Sequence, residues 1–289
     1  MNTTHMNDPN PTDDLPARAG LDVSLGRAEN AAPPSLLWGP NVIPAPAPEI
    51  RRARDLAPVL FDAAHAKSNP DAPVYALYRD VATSETRLEI ERRGLLFVVV
   101  GVRGQNLGEE KARTRGHVNS HAARTATVFP EVIEVWHGRA LVYLQARPDP
   151  EAGGDVATME LAPGDKTIVP PGWASLVVNV AGPNDALVYG SWRARECEPQ
   201  YAALDALGGM AHFVLGDVGS PTFEPNTRYR SAPIPRALPT RDFPNFGLTR
   251  AEPMFTTFRR NPDVLRFMTR PQDYANVWTT LLNDAPAAP

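Results

Sequence analysis

The chain has one cysteine, no excess of basic residues and no long apolar run. Each shortage excludes something. Cys197 alone allows neither an internal disulfide nor a site built from several thiolates, and it reads as a small, semi-buried hydrophobe. Twenty-nine Lys and Arg stand against 33 Asp and Glu, so no surplus exists to neutralise a phosphate backbone, which argues against a nucleic-acid binder. The longest apolar stretch, 95–102, suits a buried strand and is far too short to span a bilayer. Residues 1–14 are polar and mildly acidic, without the charged start and apolar run of a signal peptide. The expectation is a cytoplasmic protein with no membrane partner.

Proline is abundant, 31 of 289 residues, roughly twice the usual share. That frequency opposes long helices. Residues 1–48 carry nine of the prolines among alanine and small polar residues and are expected to form an irregular tail, with Trp38 and Leu36–Leu37 the docking points. A short helix is expected within 51–66, broken near Pro58. From 73 to 216 short β-rich segments follow one another: 74–81, 95–102, 131–136, 140–145, 156–161, 167–170, 174–180, 186–192 and 211–215. Glycine and proline turns such as Pro163-Gly164-Asp165 and Pro171-Gly172 separate them. This pattern predicts an all-β sandwich or barrel. The barrel domain is assigned to 49–220 and a Pro-rich arm to 221–289, with helix over 262–282 broken near Pro271.

Two segments carry chemistry. One is Thr114-Arg115-Gly116-His117-Val118-Asn119-Ser120-His121, followed by Glu131-Val132-Ile133-Glu134-Val135-Trp136-His137-Gly138. The other runs from Leu161-Ala162-Pro163-Gly164-Asp165 to Val169-Pro170-Pro171-Gly172-Trp173-Ala174-Ser175 and on to Asn179. Together they resemble the two motifs of a cupin. More narrowly, they resemble the archaeal-type, metal-dependent glucose-6-phosphate isomerases, with T-x-G-H-x-H, then E-[VI]-Y before a glycine, then V-P-P-x-W-A-H-x-x-x-N. The resemblance covers about 50–216. It implies a jelly-roll-like cupin barrel, a homodimer, a phosphorylated sugar as ligand, and aldose–ketose isomerisation through a cis-enediol.

By the same resemblance Glu131 is the base, and a divalent iron, manganese, nickel or zinc ion is held by two histidines, the glutamate and a third histidine. His117 takes the first place. Direct spacing puts Asn119 at the second, with His121 two residues on. Ser175 stands where the third histidine belongs, and serine is a poor ligand for such an ion. The remaining set is His117, His121 and Glu131. Either it holds a metal, or none binds and the histidines are ordinary surface or core residues. Thr114, Gly116, Tyr75 and Tyr201 match the family's phosphate contacts, and Arg113 or Arg115 would add charge. Ile133 replaces a strand tyrosine.

Strand parity puts Glu131, Ile133 and Val135 on one inward face. Glu134, on the other face, is expected to be solvated. His5, His65, His137 and His212 suggest no site. Three functions compete: the isomerase, a catalytically silent cupin binding a phosphorylated ligand, and a metal-dependent oxygenase, which the same ligand set would permit.

Overall fold

The structure is a computed structural model describing residues 15–26, 31–123, 125–146, 148, 153–182, 184–216 and 221–282. Of the expected tail over 1–48, residues 1–14 and 27–30 lie outside the described residues. In chain order the strands are β1 (Val23–Leu25), β2 (Leu36–Trp38), β3 (Pro48–Arg52), β4 (Pro73–Tyr78), β5 (Leu95–Val102), β6 (His117–Asn119), β7 (Glu131–His137), β8 (Ala140–Ala146), β9 (Val156–Leu161), β10 (Lys166–Val169), β11 (Trp173–Asn179), β12 (Leu187–Ala194), β13 (Pro199–Gln200), β14 (His212–Leu215), β15 (Thr222–Pro225) and β16 (Arg236–Ala237). The helices are α1 (Leu15–Ala19), α2 (Ala53–Leu56), α3 (Ala63–Ser68), α4 (Arg87–Arg92), α5 (Ala202–Ala206), α6 (Met254–Arg260), α7 (Arg266–Thr269) and α8 (Ala275–Trp278). None is long and apolar enough to cross a membrane.

Two six-stranded sheets, β10-β7-β12-β5-β4-β3 and β13-β6-β11-β8-β9-β16, form the jelly-roll-like barrel. Pairing is antiparallel except where β16 runs parallel to β9. The β7–β8 turn needs Gly138 at φ +78°, a conformation L side chains avoid, and a Cβ there would strike the Ala186 carbonyl. Between the sheets lies an apolar core that includes Tyr75, Val100, Ile133, Val142, Val177 and Tyr189.

The outer faces are covered too. On the first sheet Phe97, Val132, Trp136 and Trp192 pack against Leu15, Val23, Phe255 and Phe258. On the second, Tyr143 and Leu176 pack against Leu204, Met210 and Tyr229. This double burial makes the strands read as nearly continuous apolar runs rather than alternating ones. It also changes the expectation for the flanks. Docking of the N-terminal stretch reaches well beyond Leu36: Leu15, Ala19, Leu21, Val23 and Val42 are also buried. β3 and β16 bring residues from outside 73–216 into the barrel sheets. The helical break near Pro271 is present, with α7 ending at Thr269 and a 3-10 turn at Pro271–Tyr274.

Glu134 is the clear correction. It is fully buried, not solvated, because the N- and C-terminal segments roof its face of β7. Lys166, directly across the ladder, places Nζ 2.6 Å from Glu134 Oε1. The Trp136 indole donates to Oε2, and the Met254 amide at the start of α6 donates to both oxygens. Burial pushes the Glu134 carboxyl up to about 7, against the opposing pull of Lys166 and the other donors.

Candidate active site

One end of the inter-sheet core is polar. A narrow cavity there is lined by residues including Tyr75, Thr114, Arg115, His117, Glu131, Ser175, Tyr189, Arg193 and Tyr201. The β-ladders explain the gathering. His117 and Ser175 are register partners of β6 and β11, so their side chains share a face. Glu131 opens β7, and β7 pairs with β12, which ends in Ser191, Trp192, Arg193 and Ala194.

Glu131 is the electrostatic centre. Its Oε1 accepts from Ser191 Oγ at 2.6 Å, from Arg193 Nη2 at 2.6 Å and from Arg193 Nε at 3.1 Å. Its Oε2 has no hydrogen-bond partner and lies 3.5 Å from His117 Nε2, which also has none. Burial alone would raise this carboxyl. The Arg193 guanidinium, His117 and the Ser191 hydroxyl outweigh it and hold the group at about 2. Glu131 is therefore a carboxylate at any physiological pH.

The mouth is built by Arg115 and Tyr201. The guanidinium of Arg115 stacks 4.5 Å from the Tyr201 ring centroid and reaches both carboxylate oxygens of Asp205 at 2.6 Å. Arg115 Nε is buried without a partner. The Tyr75 hydroxyl accepts from the Arg115 amide at 3.4 Å. Burial, then Tyr201, push that phenol up to about 12, so it remains a donor. Thr114 Oγ1 accepts from the Val177 amide at 3.2 Å. The open space inside is about 30 Å³, room for one or two waters. Mouth side chains must move to admit anything larger.

Tyr75, Thr114, His117, Glu131, Ser175 and Tyr201 thus meet at one cavity, while four other residues named from the sequence do not join them. His121 is exposed and bridges to Val128; the chain between His117 and Glu131 carries it outward. Asn119 does not line the cavity; its Nδ2 donates to the Phe129 carbonyl at 3.0 Å and its Oδ1 is buried without a hydrogen-bond partner. Gly116 is packed for closeness: a Cβ there would press on Leu204 and Met210, outside the cavity. Arg113 is tied to Glu110 at 2.5 Å and to the Val59 carbonyl.

Arg193, Ser191 and Tyr189 are the residues that sequence reading missed. Their alternate spacing on β12 was the available signal. Ending that strand at Trp192 left Arg193 outside it.

These donors do not fit the divalent ion that the resemblance implies. Among the described residues no group of three His, Cys, Asp or Glu side chains could hold a metal. One imidazole and one carboxylate converge, and one oxygen of that carboxylate already carries a guanidinium and a hydroxyl.

Solved structures similar to this chain include Peruvianin-I, a cysteine peptidase from Thevetia peruviana latex, at 18% identity, covering 44% of this chain and 66% of that one, TM-score 0.31. They also include the vicilin of Solanum melongena at 8% identity, covering 44% and 30%, TM-score 0.32. The chain thus spans less than two thirds of each, and likeness at these scores says nothing about what it does. Comparison with curated proteins found no match. A family model, glucose-6-phosphate isomerase (GPI), matches residues 50–228, which contain every residue of the cavity described above. The chain belongs to the glucose-6-phosphate isomerase family.

Proposed function

We propose that this protein is a sugar-phosphate aldose–ketose isomerase acting on the glucose 6-phosphate/fructose 6-phosphate pair. The observation that carries the reading is a convergence of unsatisfied atoms. Six buried side-chain polar atoms lack a partner among the described residues, and three of them line this one cavity: Arg115 Nε, His117 Nε2 and Glu131 Oε2. Leaving such atoms unpaired costs stability, and a polar ligand would satisfy all three. In the proposed reaction the open-chain sugar lies with C1 and C2 beside Glu131 Oε2 and His117 Nε2. Glu131 takes the proton from C2 and returns it to C1, or the reverse, through a cis-enediol. His117 serves the oxygens, whose protons must also move. Arg115, released from Asp205, meets the phosphate with the hydroxyls of Tyr75 and Tyr201. The cytoplasm and a homodimer remain the expected setting.

The test is solvent-hydrogen exchange. In deuterated water, label should enter C2 of glucose 6-phosphate and C1 of fructose 6-phosphate. Glu131→Gln should cut that exchange by roughly 10²–10⁴-fold while calorimetry still detects sugar-phosphate binding. A second reading, a binding module without catalysis, is favoured by one observation: the grip of Arg193 leaves Glu131 a weak base. Binding without exchange in the wild-type protein would select it.

A further inference from the structure

The Glu131 carboxylate has its cation already. Ser191 Oγ and two nitrogens of Arg193 lie within 3.1 Å of Oε1. Arg193 and Glu131 are 9% and 1% exposed, so this is a neutral buried unit. A dication added beside it would share one carboxylate with a guanidinium that cannot lose its proton. It would also leave a net charge of two in a low-dielectric site, a cost of several kcal/mol per buried ion that only further anionic or imidazole ligands could offset. None are present. Ser175 faces His117 across the ladder without an imidazole, Asn119 is a neutral amide that does not line the cavity, and His121 is exposed.

We propose that the Arg193 guanidinium takes the place of a divalent ion in this chain, gripping one oxygen of Glu131 and leaving the other turned to His117, so that the protein has no resident metal at this cavity. Arg193 is here a positioning residue, acting through Glu131. Ser175 on β11 and Arg193 on β12 line the same cavity as the Glu131 carboxylate. The inference concerns the unliganded protein, and its test needs no substrate, so it stands or falls apart from the proposed isomerisation.

The 289-residue chain is incubated with excess Fe²⁺, Mn²⁺, Ni²⁺ or Zn²⁺, passed through a desalting column and analysed for metal. We expect less than about 0.1 ion per chain and no metal-dependent rise in Tm. A stoichiometric ion, removed by chelator with a fall in Tm, would overturn the proposal. Two variants sharpen the assignment. Ser175→His alone should remain free of metal, because the guanidinium still holds Oε1 and its charge opposes a dication at Oε2. Ser175→His combined with Arg193→Met should bind about one Zn²⁺ or Ni²⁺ per chain through His117, the new imidazole and Glu131. A merely structural arginine would not change metal stoichiometry. Full loading of Ser175→His with Arg193 intact, or a folded double variant that binds nothing, would each count against it. Should the double variant fail to fold, the wild-type and Ser175→His measurements still decide.

Discussion

Arg193 and Glu131 form a buried ion pair, 2.6 Å between Nη2 and Oε1, at the floor of a cavity whose mouth is a second arginine, Arg115, held to Asp205. The floor pair is sealed from water and the mouth pair is a fifth to a third exposed. The two should respond differently to mutation.

At the floor, Arg193→Met leaves a buried carboxylate uncompensated and is expected to cost roughly 3–5 kcal/mol. Adding Glu131→Gln to it removes the orphaned charge and should recover most of that loss. Urea denaturation of the two single variants and the double variant measures the coupling. Additive losses would mean that the pair does not act as a unit.

At the mouth, Asp205→Asn weakens the competing carboxylate and should tighten glucose 6-phosphate binding several-fold. Arg115→Met should weaken it at least about tenfold, since a charge-assisted phosphate contact is worth more than 1.4 kcal/mol. Titration calorimetry reads both. Equal affinities in the two variants would take Arg115 out of phosphate recognition.

Two buried carboxylates set stability in opposite pH windows. Glu131 is held down at about 2, so its contribution is present above the unfolded-state value near 4.5 and is lost as pH falls toward 2. Glu134 is pushed up to about 7; its contribution is present below about 4.5 and is lost as pH rises toward 7. Glu134 therefore pulls urea midpoints down between pH 5 and 8, against the rise from His137 and His212, whose imidazoles burial holds below their usual value. The downward pull should be absent in Glu134→Gln, whose amide does not titrate, even though its absolute stability is lower because Lys166 loses its partner.

The C-terminal arm is part of the fold's core. Phe255 stacks on Trp192, with ring centroids 5.8 Å apart, and lies 5.2 Å from Phe97. Phe255→Ala is expected to cost roughly 3–5 kcal/mol. A chain ending at 228, where the family match stops, should expose Trp136, Trp192 and the Glu134–Lys166 pair and bind a hydrophobic dye. A stable, dye-negative fragment would show that the arm is dispensable.

The strands were legible because local chemistry specifies them. Residues 95–102 and 156–161 have the same limits in sequence and structure, bounded by glycine and proline turns and filled by β-branched and apolar side chains. The inward parity of Glu131 followed from alternation on one strand, and the family resemblance pointed to His117, Thr114, Tyr75 and Tyr201. Tertiary structure decided what no local pattern encodes. Whether the second face of β7 met water or another segment depended on residues more than a hundred positions away. The roof formed by Leu15, Phe255 and Phe258 is what buries Glu134. His121 and Arg193 make the same point at the site. His121 has a ligand's side chain but lies on a segment that carries it outward. Arg193 lies one residue before the end of β12, whose partner β7 begins with Glu131. Sequence spacing sets reach along one chain, whereas an ion pair needs two strands in register, and only the ladder between β7 and β12 brings these charges within 2.6 Å.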